Sequence, residues 1–285
     1  MKTSSPLRYP GGKTSLSDLL SQIISLNRLG DRALAEPFAG GAGASLSLLF
    51  HEDTRRIVIN DADRSIFALW WALVHRPEQF RDLLLRTPVT MKEWYQQRSV
   101  YRSRLRISRV RRGFSAFYLN RCNRSGIIMN GGPIGGVKQN GDWKIDVRFN
   151  KDELLRRCDR IAEYSDRIRV TGMDGLALFN LLDSAHTFYF LDPPYFEKGR
   201  MVYLNALTYD YHTTLAEKLK SMPDAAWILT YDDCTAVREL YAGWATLRPF
   251  GLRYAAAQHR TGKEILIAPQ WMRMPRSQTS AAITW

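Results

Sequence analysis

Asp192-Pro193-Pro194-Tyr195 follows the apolar run Phe188-Tyr189-Phe190-Leu191, and its residue types suit one kind of chemistry. Consecutive prolines remove two backbone N–H donors and hold the chain extended, which leaves carbonyl groups as acceptors. The Asp192 carboxylate and the Pro193 carbonyl can then each take one hydrogen from an exocyclic NH2 group. Drawing both hydrogens pulls the nitrogen out of planar conjugation and gives it a usable lone pair. Tyr195 offers a ring on which a nucleobase drawn out of its duplex can stack. Asp-Pro-Pro also occurs in ordinary surface turns; the strand before it and the aromatic after it favour the chemical reading.

Such a site needs a strand that ends on it and neighbouring strands that end beside it, because ligands of open α/β sheets sit beyond the carboxyl ends of the strands. The sequence supplies that frame by alternating short apolar runs with amphipathic segments. Strands are predicted at 33–36, 56–60, 167–171, 187–191 and 226–230, and helices at 43–50, 65–74, 151–164, 176–182, 213–221 and 235–241. Asn150, with Glu153 three positions on, imitates a capping box ahead of the apolar stripe Leu154, Leu155, Cys158, Ile161 and Ala162. Residues 254–258 and 264–267 flank the turn Arg260-Thr261-Gly262-Lys263 and predict a hairpin.

One stretch breaks the alternation. Between Trp94 and Gly141 there is no Asp or Glu, whereas Arg98, Arg102, Arg104, Arg106, Arg109, Arg111, Arg112, Arg121, Arg124 and Lys138 all fall there. A helix over 97–112 would line up Arg98, Arg102, Arg106 and Arg109 on one face. This block accounts for most of the formal net charge of +13, and the sequence pI is about 9.8. A solvated face normally mixes signs, so a block without acids points to phosphate contact and a nucleic-acid partner; a basic but inert surface is the alternative. The chain's 285 residues suffice for one or two domains. We read 76–149 as a smaller recognition insert within a sheet-based domain made of 1–75 and 150–270, followed by a tail, 271–285.

Asp-Pro-Pro-Tyr is the signature of amino-methyltransferases that use S-adenosylmethionine, and the chain resembles the Dam-type DNA adenine methyltransferases. Ala35-Glu36-Pro37-Phe38-Ala39-Gly40-Gly41-Ala42-Gly43 resembles that family's Glu-Pro-Phe and glycine loop, with one residue more than the commonest Phe-x-Gly-x-Gly form. Its glycines, Gly40 and Gly43 among them, would let the backbone approach the methionine part of the cofactor, and a helix N-terminus would favour its carboxylate. Asp61, after Ile57-Val58-Ile59-Asn60, corresponds to the acid that accepts from a ribose diol, while Asp63 reads as a helix cap. Leu7-Arg8-Tyr9-Pro10-Gly11-Gly12-Lys13-Thr14 resembles a segment that folds against the cofactor, implicating Tyr9 and Lys13. It lacks the earlier glycine a phosphate-binding P-loop needs. Asp174, ending Val170-Thr171-Gly172-Met173, is a candidate acceptor for the cofactor's adenine, a helix N-cap, or both. Tyr118-Leu119-Asn120-Arg121-Cys122-Asn123-Arg124-Ser125-Gly126 resembles the family's stretch before a DNA-contacting hairpin. Asn120, Arg121, Asn123 and Arg124 become candidates for reading bases, and Arg98, Arg102, Arg109 and Lys138 for holding phosphates.

The resemblance implies an α/β fold, the Rossmann-like seven-stranded methyltransferase sheet ending in a reversed hairpin, with a mainly helical DNA-recognition insert. It implies methyl transfer from S-adenosylmethionine to adenine N6 in double-stranded DNA. Transfer to cytosine N4 is the nearest rival, though those enzymes more often carry Ser at the position of Asp192. RNA as substrate and a catalytically idle DNA-binding protein also stay open. Three scattered cysteines and five histidines without ligand spacing predict neither disulfides nor a metal. With no signal-peptide run and no membrane-length apolar stretch, the expectation is a soluble, cytoplasmic protein of bacterial or phage origin, a monomer or weak dimer.

Overall fold

In the computed structural model, which describes residues 4–8, 16–195, 207–253, 261–275 and 283–284, the apolar runs form strands close to their expected limits. These are β1 (Ala33–Glu36), β2 (Ile57–Asn60), β3 (Ile168–Thr171), β4 (Thr187–Leu191) and β5 (Ala226–Asp232), joined by β6 (Ala245–Arg253), β7 (Thr261–Pro269) and β8 (Ile283–Thr284). The helices are α1 (Ser17–Asn27), α2 (Gly43–Phe50), α3 (Arg64–His75), α4 (Pro77–Arg86), α5 (Met91–Arg102), α6 (Arg109–Cys122), α7 (Lys151–Glu163), α8 (Gly175–Leu181), α9 (Tyr209–Lys220) and α10 (Thr235–Tyr241). The mixed α/β architecture is that of the expected Rossmann-like methyltransferase sheet.

The chain forms two compact units, one of Met1–Gly12 with Asp61–Gly172 and one of Lys13–Asn60 with Met173–Trp285. In the second, the strand order is β2-β1-β4-β5-β7-β6-β8. The neighbours from β2 to β5 are parallel, whereas β7 runs antiparallel to both β5 and β6, which is the reversed hairpin. That hairpin is longer than expected: Thr261, Gly262 and Lys263 belong to β7, not to a turn, and the expected strand at 254–258 lies outside the described residues. The tail, unread in the sequence, adds β8 beside β6. Strands β2, β4 and β5 are buried along their whole length, as parallel strands covered on both faces must be. The core between β1, β4, β5 and β7 and the helices α8, α9 and α10 includes Tyr189, Leu191, Leu215, Leu219, Trp227 and Ile265. Because β1 has β2 on one side and β4 on the other, the carboxyl ends of β1 and β4 flank the point where strand order reverses.

The other unit is mainly helical. Its centre is an aromatic cluster in which Phe80 meets Phe114 and Phe117 edge-on, and Phe149 packs on Phe117 and Tyr118. Helices α3 and α6 cross so closely that a Cβ on Gly113 would lie 2.6 Å from the Ala68 backbone. Both α3 and α7 belong to this unit, which therefore extends beyond 76–149 on both sides. The single helix expected over 97–112 does not form. Instead α5 ends at Arg102, the Ser103 hydroxyl accepts from Leu105 N at 3.2 Å, and Ser108 caps α6 by accepting from Arg111 N at 3.3 Å. Serine-to-backbone bonds of this kind compete with helix continuation, so Arg98, Arg102, Arg106 and Arg109 share no one stripe. Among the described residues no helix is long and apolar enough to cross a membrane, and no His, Cys, Asp and Glu cluster could hold a metal ion.

Candidate active site

Strand β4 delivers Asp192 to the carboxyl edge of the sheet, with the residue half-buried and Pro193 buried behind it. Pro194 and Tyr195 are half-buried, and Tyr195 packs against the core. The neighbouring strand β5 holds the aspartate: the Thr230 hydroxyl donates to Asp192 Oδ1 at 2.7 Å. Glu36, at the end of β1, is buried and accepts from Ser45 N, in the first turn of α2, at 3.0 Å. Burial raises the Glu36 carboxyl to about 7; the Ser45 bonds hold it partly down, and the Asp192 carboxylate pushes it up. The sheet thus brings two carboxylates to its reversal point, Glu36 at the end of β1 and Asp192 just after β4.

Between β1 and α2 the glycine turn is built tightly. Gly40 (φ 46°) and Ala42 (φ 45°) are both left-handed, and Ala42 N donates to Ala39 O at 2.7 Å. Gly43 opens α2, whose N-terminus carries the Glu36 side chain in the position expected for a ligand carboxylate. Asn60, fully buried at the end of β2, fixes the surrounding loops: Nδ2 donates to Pro37 O and Met173 O, each at 2.9 Å, and Oδ1 accepts from Met173 N at 3.1 Å. Asp174 caps α8 through Leu176 N at 2.9 Å, while its other oxygen accepts from the Tyr211 hydroxyl at 3.0 Å. Tyr211 meets the Phe38 ring edge-on at 6.3 Å. Gly175 leaves room for Phe38, since a Cβ there would lie 2.5 Å from its ring. Glu36, Pro37, Phe38, Gly40, Gly43, Asp174 and the Asp192–Tyr195 segment are therefore parts of one unit. Asp61, the residue after β2, belongs to the helical unit, where its carboxylate accepts from Asp63 N at 2.8 Å. Asp63 caps α3 as expected. Tyr9 and Lys13 lie outside the described residues.

The sequence reading passed over Thr230, Asn60 and Tyr211. A signal existed for the first: polar residues closing the apolar run 226–229 mark the carboxyl end of a strand parallel to the one before Asp192.

In the helical unit the candidates divide. Arg102, Arg109, Arg124 and Lys138 are exposed. Arg98 stacks over Trp94 at 5.0 Å, and Arg109 over Trp71 at 4.4 Å. Asn120 and Asn123, expected among the base readers, are buried, and their side chains are hydrogen-bonded inside the fold. Asn120 accepts from Arg8 N and donates to Arg8 O and Gly126 O. Asn123 accepts from Trp94 Nε1 at 2.7 Å and donates to Ile127 O and Ile128 O. Arg121 is half-buried and directs its guanidinium to Arg148 O; burial and neighbouring cations lower it to about 10.

The sequence model of one family, the D12 class N6 adenine-specific DNA methyltransferases, matches residues 9–255 of the chain. No individually curated protein matches it.

Proposed function

Because the chain belongs to the D12 class N6 adenine-specific DNA methyltransferase family, whose members methylate adenine in DNA, we propose that Asp192-Pro193-Pro194-Tyr195 receives the target base and that the carboxyl ends of β1 and β4 hold S-adenosylmethionine. The observation that carries this reading is the juxtaposition of Glu36 and Asp192 at the ends of adjacent parallel strands, close enough for one charge to act on the other. A donor bearing a sulfonium and an ammonium group suits such an acid pair, since a nearby cation favours the charged carboxylates. When bound, S-adenosylmethionine supplies a methyl group already activated by its positive sulfur.

On the donor side, Glu36, Pro37 and Phe38 line the site, and Gly40 and Gly43 keep the turn's backbone open to close approach. Asp174 retains acceptor capacity beyond its two internal bonds, as a carboxylate offers about four lone-pair sites. The ribose role of Asp61 and the contacts of Tyr9 and Lys13 rest on the sequence alone. On the acceptor side, the target adenine leaves its duplex at a cost of about a few kcal/mol and stacks on Tyr195. Asp192 and the Pro193 carbonyl each accept one N6 hydrogen, turning the nitrogen lone pair along the line of transfer. Alignment supplies much of the rate, because the donor needs no further activation. Arg98, Arg102, Arg109, Arg124 and Lys138 hold the phosphates of double-stranded DNA, with 76–149 as the recognition insert. Asp192→Ala tests the assignment: methylation of duplex DNA falls to background while binding in a gel-shift assay persists. Full activity in that variant would overturn it.

A further inference from the structure

We propose that Thr230 is a positioning residue for methyl transfer, whose hydroxyl sets the orientation of the Asp192 carboxylate before the base arrives. Strands β4 and β5 are parallel with Leu191 opposite Leu229, so the next residues, Asp192 and Thr230, stand side by side. Thr230 is fully buried, and its Oγ1 lies 2.7 Å from Asp192 Oδ1 and 3.4 Å from Leu191 O. A hydroxyl has one hydrogen to give, and the shorter, charge-assisted partner takes it. The four residues before it, Ala226-Trp227-Ile228-Leu229, are apolar and buried. Packing alone would be met there by Val, which has the same shape and no hydroxyl to desolvate. The polar group is therefore explained by its acceptor. Threonine is also stiff at χ1, so the donor that fixes Asp192 is itself fixed.

This inference rests on the reading of Asp192 as the acceptor of an N6 hydrogen. An acceptor loosened by a missing hydrogen bond misaligns the nucleophile, while the Asp192 charge that faces the donor stays in place, so the loss belongs in the chemical step. The test is single-turnover methylation of duplex DNA by wild type, Thr230→Val and Thr230→Ser, with melting temperatures taken alongside. Thr230→Val is expected to slow transfer by about 10- to 100-fold, with the KM for DNA and for S-adenosylmethionine within about 3-fold of wild type. Thr230→Ser, which keeps the hydroxyl, returns to within about 5-fold of wild type. Thr230→Ala removes the hydroxyl without filling its space and should fall in the same slow range, which provides the comparison if Val is poorly tolerated. A wild-type rate in both Val and Ala variants, a Ser variant as slow as Val, or a loss confined to KM would overturn the proposal. Asp192→Asn in the same assay separates the two levels: if it is fully active, the reading of Asp192 itself fails, whatever Thr230 does.

Discussion

Glu36 and Asp192 are both acids at strand ends, yet their surroundings differ. Glu36 is sealed under α2 with its carboxyl raised to about 7 from 4.5, first by burial and then by the Asp192 charge. A carboxyl whose folded value is raised stabilises the fold in its neutral form. That contribution is present below about 4.5 and is lost as pH rises through about 7. Cationic donor and proton then compete for the same group. Binding of S-adenosylmethionine, measured by calorimetry, should tighten between pH 6 and pH 8 as Glu36 ionises, and Glu36→Gln should flatten that dependence. A pH-independent affinity in wild type would detach Glu36 from the donor site. At this scale the sequence was legible where a motif marks the end of a strand, as Glu36 and Asp192 do. It does not separate chemistry from packing where both use the same residue types: Asn120 and Asn123 carry side chains suited to base edges, and in the fold each donates to backbone carbonyls of the turn after α6.

At the scale of elements, β1, β4, α2 and α10 match their expected limits residue for residue, because apolar runs between turn residues leave little choice of boundary. Strand β6 was hidden by Pro249 and Gly251, residues that argue against a strand from sequence alone. It forms because β7 pairs with it along its whole length. Helix α1 was hidden for another reason: no side chain caps its N-terminus, so nothing announces its start. Its burial of Leu19, Leu20, Ile23 and Ile24 gives it a packing reason to form. Helix α6 depends on a feature no periodicity reveals, the close crossing with α3 at Gly113. Replacing this glycine with alanine would gain about 1 kcal/mol in helix propensity. The added Cβ, 2.6 Å from the Ala68 backbone, costs more than that gain because backbone must shift. Gly113→Ala should therefore lower the thermal midpoint; an unchanged or higher midpoint would show that the two helices can separate without cost.

For the molecule as a whole, the excess of positive charge was the plainest message in the sequence, and its block of arginines falls within the helical unit. Arg102, Arg124 and Lys138, which we propose meet phosphates, are exposed, whereas the Arg121 guanidinium is bonded to Arg148 O. Arg102→Ala and Arg124→Ala should each weaken binding to unrelated duplexes alike and reduce the slope of log affinity against log salt by about 0.9. A loss restricted to one DNA sequence would instead mark base reading. The preference for adenine over cytosine N4, carried in the sequence by one aspartate, agrees with the family the chain belongs to. The most direct measurement is to express wild type and Asp192→Ala in a methylation-free host and map modified bases by sequencing the host DNA. The account predicts N6-methyladenine at a defined site with wild type and none with the variant. N4-methylcytosine, or N6-methyladenine that survives the substitution, would contradict it.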